Sequence, residues 1–369
     1  TDYTAIFTPT AGSSATDSAI TIAAGSYADA VGNLGEAGSA PSLAMDMLVP
    51  TVTITDDTSS TTAGSVTYTF TLSEPSSTFS VGDITVTGGN AATSFASVSA
   101  DKKVYTLAVT PAASSTTDIT VDVAANTFKD AAGNDNTEAS QNVQSVDTLA
   151  PTVTLSSDKT AIKAGETALI TASFSEAPSG FVVSDFVSTA GTFSSFATVG
   201  SSTTDYTAIF TPTAGSSATD SDIIIAAGSY TDAVGNLGEA GAAPTLAMDM
   251  LVPSIVITDD TAGIASSSVT YTFTLSEPSS TFSVADVIVI GGSAATAFAT
   301  GISGDSVYTL VVTPTANSTT TMTVDVAANT FQDTAGNDNT VATQSIQDIN
   351  TLAPTVTLSS SVDAIKAGQ

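Results

Sequence analysis

Along much of this chain apolar and polar residues alternate strictly. Val66, Tyr68, Phe70 and Leu72 are separated by Thr67, Thr69 and Thr71, and Tyr105, Leu107 and Val109 follow the same rule. Ile119, Val121 and Val123 form another set, with Thr120 and Asp122 between them. A period of two puts every apolar residue of such a run on one face of an extended segment, so each run predicts a half-buried β-strand. Thr51-Val52-Thr53-Ile54 predicts an opening strand after Pro50, and Ile84-Thr85-Val86 one ahead of Gly88-Gly89. Gly, Ser and Asp separate the runs, and no stretch shows a helical period. About seven short strands in roughly a hundred residues, apolar on one face, predict an all-β fold of antiparallel Greek-key sandwiches.

The strand pattern recurs. Asp-x-x-Gly-Asn is written four times, with leading aspartates Asp29, Asp130, Asp232 and Asp333 at spacings of 101, 102 and 101 residues. A period near a hundred residues is the size of a small domain rather than of a solenoid repeat. Residues 1–49 return as 204–252 with five differences, and the same shift of 203 carries Pro50 onto Pro253, Glu74 onto Glu277 and Asp83 onto Asp286. The duplicated unit is therefore a pair of domains, A and B. The expected boundaries are 1–49 for the C-terminal half of a B-type domain, 50–150 for A and 151–252 for B. A second A follows at 253–353, and the first strand of a further B at 354–369. Both ends then fall inside a domain, which predicts a window onto a longer, elongated array.

Composition narrows the chemistry. There is no Cys, His, Trp or Arg, and six Lys stand against 36 acidic residues, for a net charge of −30. Without His or Cys the common zinc sites, the thiol nucleophile and the Ser-His-Asp triad are excluded. So much negative charge repels phosphate backbones and argues against nucleic acid as a partner. No apolar run reaches the eighteen or so residues of a membrane helix, so no membrane insertion is expected of this stretch, and no signal peptide is visible. Carboxylates, amides and carbonyls remain, and these are ligands for hard cations.

The acidic residues converge. In a Greek-key sandwich Glu74 and Asp83 bracket the loop after the second strand, and Asp130 and Asn134 lie in the loop before the last. Both loops sit at the pole where the chain comes in from the preceding domain, along a linker carrying Asp46. The predicted set is thus Asp46, Glu74, Asp83, Asp130 and Asn134. It recurs as Asp147, Glu176, Asp185, Asp232 and Asn236, and again as Asp249, Glu277, Asp286, Asp333 and Asn337. Carboxylates crowded at one pole with no Lys or Arg to pair them would repel unless a cation sat among them, and calcium accepts this mixture of oxygens. With one ligand on the linker, the ion would tie neighbouring domains together. The competing reading is that Asp-x-x-Gly-Asn is simply a good turn sequence. Asp135 and Asn136 follow the motif only in A and are expected to be peripheral; Asp56-Asp57 reads as a solvated turn.

Together the Pro-Thr-Val-Thr opening, Phe-Thr-Leu-Ser-Glu-Pro, Phe-Ser-Val-Gly-Asp-Ile and the Asp-x-Ala-Gly-Asn loop resemble bacterial Ig-like domains. These occur in tandem in very large surface adhesins of Gram-negative bacteria, many of them RTX-type and exported by type I secretion. The resemblance implies an extracellular, cell-surface extender, stiffened by calcium at its joints through the residue sets above, with neighbouring domains of the same chain as its partners. Two departures stand out: Ser175-Glu176-Ala177-Pro178 replaces Ser73-Glu74-Pro75 in B, and the last linker position is Asn350.

The leading expectation is therefore a structural stalk and not an enzyme. A self-assembling filament or sheath, in which copies of the chain contact one another, is the alternative. A carbohydrate-binding accessory module is weaker, because there is no Trp to form a sugar platform and nothing marks either of Glu74 and Asp83 as a glycosidase acid.

Overall fold

The alternating runs form the strands they predict. In this computed structural model residues 1–15, 19–38, 43–216, 218–241, 244, 246–361, 363, 364 and 366 are described. The chain packs as two compact units, one of Thr1–Thr152 with Ser175–Phe181 and Ala227–Glu239, the other of Val153–Phe174, Val182–Ala226 and Ala240–Gln369.

In the first unit, residues 1–49 contribute a short antiparallel pair, β1 (Ser14–Ala15) and β2 (Met45–Asp46). A complete sandwich follows. Its strands are β3 (Val52–Asp56), β4 (Val66–Leu72), β5 (Ile84–Thr87), β6 (Gly89–Ser97), β7 (Val104–Pro111), β8 (Ile119–Val123) and β9 (Asn142–Gln144). One sheet runs β3-β4-β7-β6 and the other β5-β8-β9, all antiparallel. Val66, Tyr68, Phe70, Leu107, Val109, Ile119, Val121 and Val123 are fully or almost fully buried between them, while the intervening threonines face outward. Phe79 fills the upper core, with ring centroids 4.9–5.9 Å from Phe70, Phe95, Tyr105 and Phe128. The chain crosses between sheets at Gly88-Gly89, where Gly88 has φ +74° and a Cβ would stand 2.1 Å from the Asp118 carbonyl oxygen. Only glycine fits there.

In the second unit the strands are β10 (Val153–Ser157), β11 (Ala161–Lys163), β12 (Ala168–Phe174), β13 (Phe186–Val187), β14 (Gly191–Thr198), β15 (Asp205–Pro212), β16 (Ile224–Ile225) and β17 (Ala247–Asp249). They form the sheet β10-β12-β15-β14 and the pairs β13-β16 and β11-β17, the last of them parallel. Phe186 of β13 packs on Phe193 of β14 with centroids 5.3 Å apart, joining sheet to sheet. A second A-type sandwich repeats the first: β18 (Ile255–Asp259), β19 (Val269–Leu275), β20 (Val287–Ile290), β21 (Gly292–Ala294), β22 (Val307–Pro314), β23 (Met322–Val326) and β24 (Ser345–Gln347). Its sheets are β18-β19-β22-β21 and β20-β23-β24, around a core led by Tyr271, Phe273, Leu310, Val324 and Phe331.

Parallel contact between an early and a late segment recurs in both A sandwiches, as the bridges Thr62–Val146 and Ala265–Ile349. Residues 353–361 carry no strand; within the opening strand expected over 354–369, residues 362, 365 and 367–369 lie outside the described residues.

Asn136 is not peripheral. It is 2% exposed, its Oδ1 accepts the N–H groups of Thr127 and Phe128 (2.8 and 2.9 Å), and its Nδ2 donates to the oxygens of Ala124 and Thr137. It supplies partners that a buried turn would otherwise lack. In B that position is Gly238, and Tyr230 stands where A has Phe128. There Tyr230 donates to the oxygens of Pro151 and Glu239, and Gly238 leaves room for it. A Cβ on Gly238 would lie 2.2 Å from the Tyr230 ring.

Candidate metal centre

Each Asp-x-x-Gly-Asn segment closes on its own aspartate. Asp130 Oδ1 accepts the N–H groups of Gly133 and Asn134 at 2.7 and 2.8 Å, and Oδ2 accepts from Asn134 Nδ2 at 2.7 Å. Asp232 and Asp333 are held in the same way by Asn236 and Asn337. Asp29, in the first copy, makes the same bonds with Val31 and Asn33. The turn is therefore intrinsic to the motif, with glycine supplying the positive φ (+97° at Gly133) that the reversal needs. It fixes a carboxylate; it does not compete with a role as ligand.

Three of the copies have acidic company. Oxygen atoms of Asp46, Glu74 and Asp130 lie within 4.8 Å of one another, and so do those of Asp147, Glu176 and Asp232, and of Asp249, Glu277 and Asp333. In each group the motif aspartate is buried and the other two are half-buried. The linker aspartate is set by its own turn: Asp46, Asp147 and Asp249 accept the N–H of Leu48, Leu149 and Leu251 at 3.0–3.1 Å. Asn350 repeats that turn with Leu352 at 3.2 Å, without the charge. The glutamate follows the second strand and is carried in by the sheet.

Asp83, Asp185 and Asp286 are not in these groups. Each ends a single 3-10 turn and folds back to its start, Oδ2 accepting the N–H of Ser80, Val182 or Ser283 at 2.7–2.8 Å. Ser80 and Ser283 add their hydroxyls. These carboxylates satisfy a turn, as acidic residues three positions after a cap commonly do.

Asn134, Asn236 and Asn337 are in place, though as pins. Beyond the motif aspartate, Nδ2 donates to the main-chain oxygen of Asp46, Asp147 or Asp249 at 3.1, 2.9 and 3.2 Å. At Asn337 the Oδ1 is also taken, by the N–H of Ala164 at 2.7 Å.

The electrostatics follow from the crowding. Burial, and then the charges of Asp130 and Asp46, push the Glu74 carboxyl above its usual 4.5, with Lys103 pulling partly back. Lys103 donates to the Ser73 oxygen at 3.0 Å, so this centre does have a cation nearby, contrary to expectation. Glu176 and Glu277 are raised by burial and by their own aspartates, with no such relief. Burial also pushes up on Asp130 and Asp232, but hydrogen bonds from the Asn side chain and the turn amides outweigh it and hold both below the usual 3.8. In the first two trios one carboxylate is thus stabilised as the anion while another is crowded by it. At an effective dielectric near 20, two unit charges this close repel by roughly 3 kcal/mol.

The donor set fits a hard divalent cation. Opposite ligands of a calcium ion stand about 5 Å apart, so oxygens within 4.8 Å of one another can share one shell. Carboxylates from three separate segments, with carbonyls and water completing the shell, suit calcium's six to eight oxygen ligands.

A family model described as a bacterial Ig-like domain matches residues 1–45, 46–146, 147–248 and 249–349. No curated protein matches the sequence. Among solved structures, a tandem from titin is 9% identical, covering 80% of this chain and 98% of that one, with a TM-score of 0.25. A marsupial T cell receptor is 10% identical over 81% and 99%, with a TM-score of 0.25. A membrane-anchored protein from Corynebacterium diphtheriae is 11% identical over 79% and 91%, with a TM-score of 0.24. Scores this low carry no weight for the centre. Among the described residues no helix is long and apolar enough to cross a membrane.

Proposed function

The chain belongs to the bacterial Ig-like domain family, in four tandem copies, and from that premise we propose that it is a non-catalytic spacer of an exported bacterial surface protein whose interdomain joints are tightened by calcium. The observation that carries this reading is the three-fold recurrence of a carboxylate trio drawn from linker, sandwich loop and turn. Near-identical repeats suit a part whose useful property is reach, since a ligand-binding function needs only one copy.

In this reading Asp46, Glu74 and Asp130, with their counterparts Asp147, Glu176, Asp232 and Asp249, Glu277, Asp333, are the ligands. The bound ion supplies positive charge to three crowded anions. Asn134, Asn236 and Asn337 orient the turn aspartate and tie it to the linker. Because the linker belongs to the joint, neutralising the trio holds one domain's loops against the chain arriving from the domain before it.

Thermal unfolding of the whole chain, in calcium and then in chelator, tests this. An ion that binds only the folded state raises the melting temperature as its concentration climbs. A rise that chelator reverses and magnesium reproduces only weakly is expected. Melting curves indifferent to all three would leave the motif as a turn and nothing more. Sedimentation at increasing protein concentration separates a spacer, which stays monomeric, from a filament.

A further inference from the structure

Not all joints in this chain are built alike. In the second unit, β11 of the B-type sandwich ends at Lys163, and the turn that follows begins at Ala164. Both reach the Gly-Asn loop of the next domain. Lys163 Nζ donates to the Gly336 oxygen at 2.5 Å, and the Ala164 N–H donates to Asn337 Oδ1 at 2.7 Å. Asn337 is held from its other side by the Asp249 oxygen and by Asp333. One amide therefore bonds to the preceding sandwich, the linker and its own loop at once. Lys163 also lines a cavity of about 520 Å³ walled by β11, Glu166, β17 and Thr334-Ala335.

Aligning Gly64 with Gly165 places Thr62 and Ala265 of the A-type domains at the position of Lys163. Neither can donate a charged hydrogen bond across a joint. Among the described residues no hydrogen bond runs from Thr62 or Ala63 to the loop holding Asn236. The shift of 203 residues carries Lys163 onto Lys366, so the next B-type copy has the lysine again. Lysine goes with B and is missing from A.

We propose that Lys163 and Asn337 form a side-chain latch that holds a B-to-A joint closed whether or not a cation is bound, and that A-to-B joints have none. Joint types then alternate along the repeat. The latch uses donors and acceptors outside the carboxylate trio, so it stands independently of the calcium reading. Hydrogen bonds from a charged donor are the stronger kind, and this one is partly shielded.

The Ala164 amide reports on the latch directly, because its acceptor lies in the next domain. Native-state hydrogen exchange of the isotope-labelled whole chain in chelator is the test, with the Ala164 rate divided by that of Ile170, a core amide of β12 in the same sandwich. The ratio cancels any overall loss of stability. Lys163→Thr installs the A-type residue, and Lys163→Met keeps the aliphatic stem without the donors. Both are expected to raise the ratio about tenfold, the effect of losing one charge-assisted hydrogen bond. A ratio unchanged in either variant overturns the latch. So does a parent chain whose Ala164 amide exchanges as if unprotected in chelator, since its protection would then come from the ion.

Discussion

Asn236 Nδ2 donates a hydrogen bond to the main-chain oxygen of Asp147, 89 residues earlier, at 2.9 Å. The same group also reaches Asp232 Oδ2 at 2.6 Å, so one amide joins turn to linker. Asn236→Ala removes both bonds and leaves Asp232 with fewer donors. At about 1 kcal/mol per bond, a loss of roughly 2 kcal/mol from that part of the fold is expected. Asn236→Asp, which brings a fourth carboxylate to the trio, should be worse in chelator and recover in calcium. Melting curves of both variants in both conditions check the pair.

The glutamates are the most informative substitutions because two opposite effects meet there. In chelator Glu176→Gln removes a charge crowded by Asp147 and Asp232 and should raise the melting temperature. In calcium it removes a ligand and should lower it. A site filled at a hundred times its dissociation constant contributes about 2.7 kcal/mol, so the calcium-dependent shift should shrink for the variant. A change of the same sign in both conditions would count against a cation site.

Acid titration in chelator gives a sign that can be worked out. Glu74, Glu176 and Glu277 have folded-state values above 4.5, so folding takes up protons as pH falls through those values. Stability should rise on going down from neutral pH toward 4.5 and be lost as pH climbs back. The groups facing them are the two aspartates of each trio and, at Glu74, Lys103. Asp130 and Asp232 lie below 3.8, so their contribution is present above that value and lost as pH falls further. A shallow maximum in melting temperature between these windows is expected in chelator, and calcium should abolish the rise on its alkaline side.

Gly238 tests the compensation between turn and ring. An added Cβ would meet Tyr230 ring atoms at 2.2–2.6 Å, and Tyr230 is buried with its hydroxyl on Pro151 and Glu239. Gly238→Ala should therefore cost about 2–3 kcal/mol, within the range for overpacked interiors. Asn136→Ala, in the A-type solution to the same turn, should lose a similar amount by leaving buried amides unpaired. Chemical denaturation followed at the affected domain checks both.

The sandwiches were legible from the sequence because alternation at period two leaves one face for the core, and Val66 to Leu72 meets that condition without exception. The trios were legible in part. A Greek key brings the loops of Glu74 and Asp130 to the pole where the linker carrying Asp46 arrives. The same reasoning puts Asp83 at that pole, but proximity to a loop does not say where a carboxylate turns. Its spacing from Ser80 held the answer, since an acidic residue three positions after a serine is a capping pattern. Asn136 reads as peripheral because B has Gly238 in its place; the sequence does not show that its amide folds inward onto Thr127 and Phe128. Lys163 was invisible as a joint residue, for its partners lie 173 residues away.

The parallel neighbours β11 and β17, and the bridges Thr62–Val146 and Ala265–Ile349, have a mechanical meaning. Each couples a segment near the start of a sandwich to one near its end. When tension is applied through the two ends of such a domain, parallel neighbours are drawn past each other lengthwise. Their hydrogen bonds then carry the load together, as a lap joint does, where an antiparallel hairpin pulled from its open end would give way one bond at a time. A chain of these sandwiches resists pulling at the seam where its ends meet.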